Sequence, residues 1–329
     1  MIRRAIPGFA TASLVLPTVI TIVALAIQVV ALPAVPDTIA THWGINGVPD
    51  GFAPAWTTLV LTAVFGLGLP GLLAATTLPG LLRGERGPSY RFMGAVATAL
   101  SAGITTLATW MMVSQIGLAD PTDARLSALS LLAIAGVTAL AGVIGWLIQP
   151  KQQTVRSPSA AVVSHPLSPG QRAVWSAETS VPLIGQVGIT LLVVAVWGGA
   201  VYMWLLGDPA SAGWLLAAVG LLLLAAAATT LAFRVRVDKG GLSVTSVFGI
   251  PRFRVPLDEI ISVTTVQVEP VGQFGGYGLR IAPGRFGVIL HRGAAIEVER
   301  RSGRRFVVTI DDAATGAALL QGLLAQKPA

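Results

Sequence analysis

The sequence predicts an α-helical membrane bundle of about six transmembrane helices, followed by a small soluble α+β domain built as a β-barrel capped by a C-terminal helix. Three observations carry that expectation. Hydrophobic residues make up 53% of the chain and charged residues 11%, outside the range of an ordinary soluble domain. Six apolar stretches, at approximately 8–33, 56–82, 92–117, 127–149, 183–206 and 213–233, contain no Asp, Glu, Lys, Arg or His. After Phe233 the continuous apolar character gives way to short alternating runs dense in charge.

Each apolar stretch is long enough to cross a bilayer. A helix rises about 1.5 Å per residue and the hydrocarbon layer is about 30 Å thick, so a crossing needs about 20 residues without stranded charge. A mean hydropathy of +0.75 agrees. The first stretch follows a short basic start but exceeds a signal-peptide core, and Leu32-Pro33-Ala34 is a poor cleavage site, so an uncleaved anchor is expected. With no cysteine, the chain has no disulfide and no thiol chemistry.

Charge orients the bundle. Loops on the cytoplasmic side are enriched in Lys and Arg, so Arg3 and Arg4 place the N-terminus inside. The loops with Arg83, Arg86 and Arg91, then Lys151, Arg156 and Arg172, fall on the same side, whereas the connections 34–55 and 207–212 carry no basic residue. Of the 22 Lys and Arg, only Arg125 falls outside. The expected location is the cell membrane, multi-pass, with both ends cytoplasmic.

The helices are rich in small residues, as in Gly66-Leu-Gly68-Leu-Pro70-Gly71 and Gly198-Gly199, which lets helix backbones approach closely in lipid. Pro70 is expected to kink or interrupt its helix. Gln28, Ser114, Gln115, Gln186 and Thr190 are the polar candidates within the crossings, and interhelical hydrogen bonding is the expected role of such residues.

Four regions follow: a four-helix membrane region at 1–149 with an outer loop at 34–55, a cytoplasmic proline-rich linker at 150–182, a two-helix membrane hairpin at 183–233, and a cytoplasmic domain at 234–329. The linker holds Pro150, Pro158, Pro166, Pro169 and Pro182, reads as irregular, and includes Trp175, a residue type that favours the membrane interface. In the last region, period-two alternation marks strands at 233–238, 242–245, 252–255, 260–266, 295–300 and 305–310, within about seven antiparallel strands. Asp311 and Asp312 can cap a helix at about 312–325 whose Leu319, Leu320, Leu323 and Leu324 form one apolar stripe.

Two segments resemble known families. The outer loop, with Pro36, Thr41, His42, Gly44, Gly47, Pro49 and Asp50, resembles the bacterial membrane family called domain of unknown function sixteen forty-eight, which also forms the N-terminal part of SdpI-type immunity proteins; Ala40 stands where that pattern commonly has Pro. The distal region, through Gly240-Gly-Leu-Ser-Val, Val255-Pro-Leu-Asp-Glu-Ile-Ile261, Gly275-Gly-Tyr-Gly-Leu-Arg280 and the arginine-rich 295–305 segment, resembles bacterial pleckstrin-homology-like domains. The second resemblance implies a split barrel capped by a helix and little chemistry.

Candidate functional residues are few. His42, Trp43, Asn46 and Asp50 make the outer loop the best recognition candidate, although turns at Asn46-Gly47 and Pro49-Asp50-Gly51, with Trp43 packed on the bilayer, account for the same residues. One histidine with scattered oxygen ligands lacks the spacing of a metal site, and no cofactor or metal is expected. Arg252, Arg254, Arg300, Arg301, Arg304 and Arg305 make the distal domain basic, which fits solvated strand faces or a face held against anionic lipid head groups. Nucleic acid is not an expected partner, since no aromatic platform accompanies the arginines. No catalytic signature is present, so no enzymatic activity is expected. The sequence favours a non-enzymatic membrane protein of regulatory, sensing or immunity type, engaging the lipid bilayer and a membrane or cytoplasmic protein partner. A carrier of a small neutral or apolar molecule and a membrane assembly scaffold are the alternatives.

Overall fold

The computed structural model describes residues 2–44, 46–152, 159–161, 173–205 and 212–326. Arg156, Pro158, His165, Pro166, Pro169, Arg172 and most of the 207–212 connection lie outside them. The chain divides into two compact units, Met1–Val155 and Arg156–Ala329.

The first unit is helical. Helix α1 (Ile2–Ala10) runs through a π-helical turn, Thr11–Val15, into α2 (Leu16–Ala31), and α3 (Trp56–Leu82), α4 (Pro88–Val113) and α5 (Ala128–Leu147) follow. Strands β1 (Thr38–Trp43) and β2 (Pro49–Pro54) lie between α2 and α3. Among the described residues, six helices are long and apolar enough to cross a membrane, two of them, Leu183–Leu205 and Gly213–Thr230, in the second unit, the architecture of a multi-pass membrane protein.

Helix α4 holds this unit together through its hydroxyls. Helix α3 is not interrupted at Pro70. A proline there lacks the N–H that would bond the carbonyl four residues earlier, that of Gly66, and the Ser101 hydroxyl of α4 donates to that carbonyl at 3.0 Å. Thr98 donates to the Ala12 carbonyl in the π-helical turn at 2.5 Å. Gln28 Nε2 donates to Thr62 Oγ1 at 2.8 Å and Thr109 Oγ1 at 3.0 Å. At the end formed by the 83–91 connection, the buried Arg91 donates to the Trp146 carbonyl at 2.7 Å and stacks on that indole, 4.4 Å from its centroid.

The second unit combines the helix pair with two sheets. Strands β3 (Ser159–Ala161) and β4 (Trp175–Ser180) precede α6 (Leu183–Leu205) and α7 (Ala212–Thr230). Then come β5 (Ala232–Asp238), β6 (Gly241–Ser246), β7 (Arg252–Val255), β8 (Ile260–Val268), a short α8 (Pro270–Phe274), β9 (Gly278–Ala282), β10 (Arg285–Ile289), β11 (Gly293–Arg300), β12 (Arg305–Thr309) and α9 (Ala313–Ala325).

One sheet has the order β4-β5-β6-β7 and the other β3-β8-β11-β12-β10-β9. The expected capping helix is present, but the strands form two sheets rather than one closed β-barrel. Strand β7 has four residues and ends at Pro256, so the chain leaves the first sheet and begins β8 in the second without a hydrogen-bonded seam. The pairing of β10 with β12 is parallel, against the expected all-antiparallel pattern. The sheets share one core, in which Phe233, Val235 and Val244 meet Ile296, Val298 and Val308, and α9 covers it with Leu319, Leu320 and Leu323.

The expected linker is ordered at its end. Trp175–Ser180 pairs with β5 from Trp175↔Val237 to Ser180↔Ala232, so the helix pair α6–α7 is inserted between two adjacent strands of one sheet. Trp175 is held at the sheet. It packs against the core, and its indole donates to Asp312 Oδ2 at 3.1 Å, ahead of α9.

Two expectations follow. A Cβ at Gly66 would meet Thr21 Oγ1 at 2.7 Å and Thr105 Cγ2 at 2.8 Å, whereas one at Gly68 would meet nothing within 4 Å. Gly66→Ala should therefore destabilise by about 1–3 kcal/mol through overpacking, and Gly68→Ala should be neutral or stabilising by up to about 1 kcal/mol; thermal unfolding in detergent compares them, and equal midpoints would contradict the packing. The second concerns Asp312, whose carboxyl is held below the usual range by hydrogen bonds from the Thr315 hydroxyl and the Trp175 indole. A lowered folded value means stabilisation that is present above the ordinary Asp value, about 3.9, and is lost as pH falls through the folded value. Asp312→Asn should speed hydrogen exchange in α9 at pH 7, and the difference from wild type should vanish in acid.

Candidate functional site

The 34–55 connection is a two-stranded hairpin fastened to the bundle. Its register runs Thr38↔Pro54, Ile39↔Ala53, Ala40↔Phe52, His42↔Gly51 and Trp43↔Pro49, with irregularities on either side of His42. Ile39 is buried with Ala31, Ala55 and Met112. Gln115, just past α4 and fully buried, reads the Ala40 backbone as a neighbouring strand would: Oε1 accepts from Ala40 N–H at 2.8 Å, and Nε2 donates to the Ala40 carbonyl at 2.9 Å. At the tip, Leu126 N–H donates to the Gly47 carbonyl at 3.2 Å, so the 118–127 connection also holds the hairpin.

Each expected outer-loop residue has a defined place. Asn46 and Gly47 form the turn, with Gly47 at φ +72° and Asn46 Oδ1 accepting from Val48 N–H at 3.2 Å. Pro49-Asp50-Gly51 is strand, which corrects the turn expected there. Trp43 packs on Trp110 of α4, with ring centroids 5.6 Å apart, and its indole donates to the Ala124 carbonyl at 3.4 Å. It therefore anchors the hairpin to the bundle. His42 Nδ1 and Asp50 Oδ1 lie 2.5 Å apart on the exposed face. Gly51 permits this, since a Cβ there would stand 2.8 Å from the His42 Cβ. Phe52 and Val48 are exposed beside them. Among the described residues no group of three or more acidic or histidine side chains is arranged to hold a metal ion. The face therefore offers an imidazole–carboxylate pair flanked by apolar surface.

The polar candidates of the crossings are spent on internal bonds. Gln186 Nε2 donates to the Val181 carbonyl at 2.7 Å, Thr190 to the Gln186 carbonyl at 2.9 Å, and Ser114 to the Met111 carbonyl at 3.4 Å. Between α2 and α4, an apolar groove of about 700 Å³ opens sideways, lined by residues such as Val23, Ile27, Thr109 and Trp110. His291 is occupied at the sheet edge, its Nδ1 lying 3.0 Å from the Arg292 carbonyl.

The structure does not bring the six expected basic residues together. Arg252 and Arg254 lie on β7, where alternation turns them away from the core, opposite Thr245 and Ser243 of β6. Arg234 and Arg236 of β5, which sequence reasoning passed over, stand on the same face through the same alternation. Arg234 pairs with Glu178 at 2.9 Å and Arg236 with Asp238 at 2.8 Å. Burial raises the Asp238 carboxyl, but hydrogen bonds from Gly240 N–H and Arg236 and the charges of Arg236 and Arg254 outweigh it, leaving the group below the usual range. Arg236, Asp238, Gly240, Gly241, Arg252 and Arg254 border a recess of about 180 Å³.

Arg300, Arg301, Arg304 and Arg305 occupy a different place, the β11–β12 turn. Arg300 pairs with Glu259, and Arg305 with the buried Glu297 at 3.0 Å. Arg301 N–H donates to the Glu259 carbonyl at 2.8 Å, beyond the end of β7 marked by Val255. Among the described residues, Arg252, Arg254, Arg301 and Arg304 have no carboxylate within 4 Å.

The model of a family described as a domain of unknown function (DUF1648) matches residues 19–67, which span most of α2, the hairpin and the first part of α3. No curated protein and no solved structure matches the chain.

Proposed function

We propose that the chain is a non-enzymatic regulatory, sensing or immunity-type protein of the cell membrane, presenting the 38–54 hairpin outside and the sheets of the second unit in the cytoplasm. The carrying observation is the hairpin itself. Its backbone is bound by the buried Gln115, while His42, Asp50 and Phe52 stay exposed on its other side. A surface loop fixed this firmly loses little entropy when a partner docks. The segregation of Lys and Arg supports the orientation. The match at residues 19–67 supports kinship of this part with a family that itself has no assigned function.

Kinship of the second unit with pleckstrin-homology-like domains belongs to the same proposal. The β5–β6–β7 meander and the closing helix α9 favour it, while the two separate sheets and the parallel β10–β12 pair depart from a closed barrel. Such a module would engage a cytoplasmic or membrane protein partner. Carriage of an apolar molecule is a second reading, favoured by the groove between α2 and α4. Against it, Thr21 and Ser101 bond to each other at 3.3 Å and Gln28 Nε2 to Thr62 and Thr109. A scaffold role would leave the hairpin face without a ligand.

The test is complementation of a deletion strain across a panel of toxins and cell-envelope stresses. Wild type should restore resistance. His42→Ala/Asp50→Ala should lose it without change in thermal midpoint, because both side chains are exposed. Gln115→Leu should lose it together with about 1–3 kcal/mol of stability for each Ala40 polar group left unpartnered. No sensitivity change on deletion, across the whole panel, would overturn the reading.

A further inference from the structure

The end of the four-stranded sheet coincides with the feet of the helix pair. Ser180 pairs with Ala232, and Val181 N–H donates to the Leu231 carbonyl at 2.9 Å, with α6 beginning at Leu183 and α7 ending at Thr230. The ladder continues across the sheet at that level: Phe233 pairs with Ser246, and Val247 N–H donates to the Ala232 carbonyl at 3.1 Å. The β6–β7 connection, 247–251, therefore leaves the sheet beside the point where the chain enters and leaves its helices.

That connection is apolar where a solvated turn would be polar. It reads Val247-Phe248-Gly249-Ile250-Pro251, and Val247, Phe248 and Ile250 are 50%, 73% and 74% exposed. Its shape is fixed by Ser246 N–H donating to the Pro251 carbonyl at 2.9 Å and Gly249 N–H to the Ser246 carbonyl at 2.8 Å, with Gly249 at φ +89°. Three large apolar side chains are thus left half to three-quarters exposed in one short connection.

Behind this tip the outward sheet face carries arginines in two rows. Arg234, Thr245 and Arg252 are aligned in the first, and Arg236, Ser243 and Arg254 in the second. At about 3.3 Å per residue, these rows stand about 7 Å and 13 Å along β5 from Ala232, the residue at which the sheet begins. A leaflet's head-group layer is about 5–8 Å deep. With Ala232 at the inner boundary of that layer, the first row falls near its outer limit and the second about 5–8 Å beyond it, inside the roughly 8 Å over which charge acts at physiological salt.

We propose that the 247–251 tip is a wedge seated in the membrane interface, and that Arg252 and Arg254 hold phosphates of anionic lipid head groups. This rests on α6 and α7 crossing the bilayer, and does not depend on what the outer hairpin recognises. Phe248 and Ile250 take the place of lipid contacts at the acyl boundary, and the arginine rows lie along the phosphates. The β11–β12 turn, bound to Glu259 past the opposite end of β7, is held away from this surface and serves as an internal control.

The absence of native cysteine permits a direct test in the full chain. Phe248→Cys and Ser302→Cys are labelled separately with an environment-sensitive fluorophore and reconstituted into nanodiscs of phosphatidylcholine with or without phosphatidylglycerol. Nitroxide-bearing lipid should quench the label at 248 severalfold more than the label at 302, and aqueous iodide should do the reverse. Phosphatidylglycerol should strengthen lipid quenching at 248. That dependence should fall roughly fivefold for each arginine removed in Arg252→Gln and Arg254→Gln. Equal iodide access at 248 and 302 would overturn the wedge. Lipid quenching indifferent to phosphatidylglycerol would overturn the arginine assignment. So would a loss of the phosphatidylglycerol effect in millimolar inorganic phosphate at constant ionic strength, which would point to a free anion as the ligand.

Discussion

Pro70 leaves the Gly66 carbonyl without its helical donor in the middle of α3, and the Ser101 hydroxyl supplies one from α4. Within an apolar interior no water can do this, and an unpartnered backbone group there costs several kcal/mol. Other junctions of the first unit answer the same need. Thr98 reaches the Ala12 carbonyl in the π-helical turn ahead of Pro17, and Gln115 closes both polar groups of Ala40. Close approach at Gly66 brings Thr21 and Thr105 to the same crossing. Helix α4 is thus the common donor to which α2, α3 and the hairpin are fitted.

The consequence for function lies in what remains unspent. Once Thr98, Ser101, Gln28, Gln115 and Gln149 are engaged internally, exposed chemistry is concentrated outside the crossings. The hairpin offers His42 beside Asp50, and the four-stranded sheet offers an arginine face. A rigid bundle with polar chemistry at its loops suits a protein that presents surfaces to partners.

The legible parts of the sequence were those whose signal is local. Six charge-free runs mark the crossings, and Arg252–Val255 and the helix after Asp312 fall within a residue of expectation because alternation and stripe repeat over a few neighbours. Strand β4 was not legible. Trp175-Ser-Ala-Glu-Thr-Ser180 has weak alternation, and its partner β5 lies beyond the whole α6–α7 insertion. Strands β9 and β10 sit among Gly275, Gly276, Gly278 and Gly284, whose turn character masks the period. The Gln115–Ala40 clamp has no local signal, since a lone glutamine near a helix end reads the same whether it faces a neighbour or water. The pairing of Arg300 and Arg305 has no local signal either, because Glu259 and Glu297 meet them only through the fold.

The inserted helix pair imposes a further geometric demand. Paired strands stand about 4.8 Å apart, whereas packed helices are separated by about 8–10 Å. The change of spacing falls on Val181 and Pro182 on one side and Leu231 on the other. There the Pro182 carbonyl accepts from Gly185 and Gln186 N–H, and Gln186 Nε2 returns to the Val181 carbonyl. These bonds leave little slack. A domain joined by one flexible tether can rotate freely beneath a membrane; a sheet whose adjacent strands both continue into crossing helices cannot. Helix α6 is apolar all round and largely exposed in this unit, as expected of a crossing rather than of a helix on a soluble core. Its depth therefore fixes the height of Ala232, and through the ladder it fixes the level of Val247 and the arginine rows behind it.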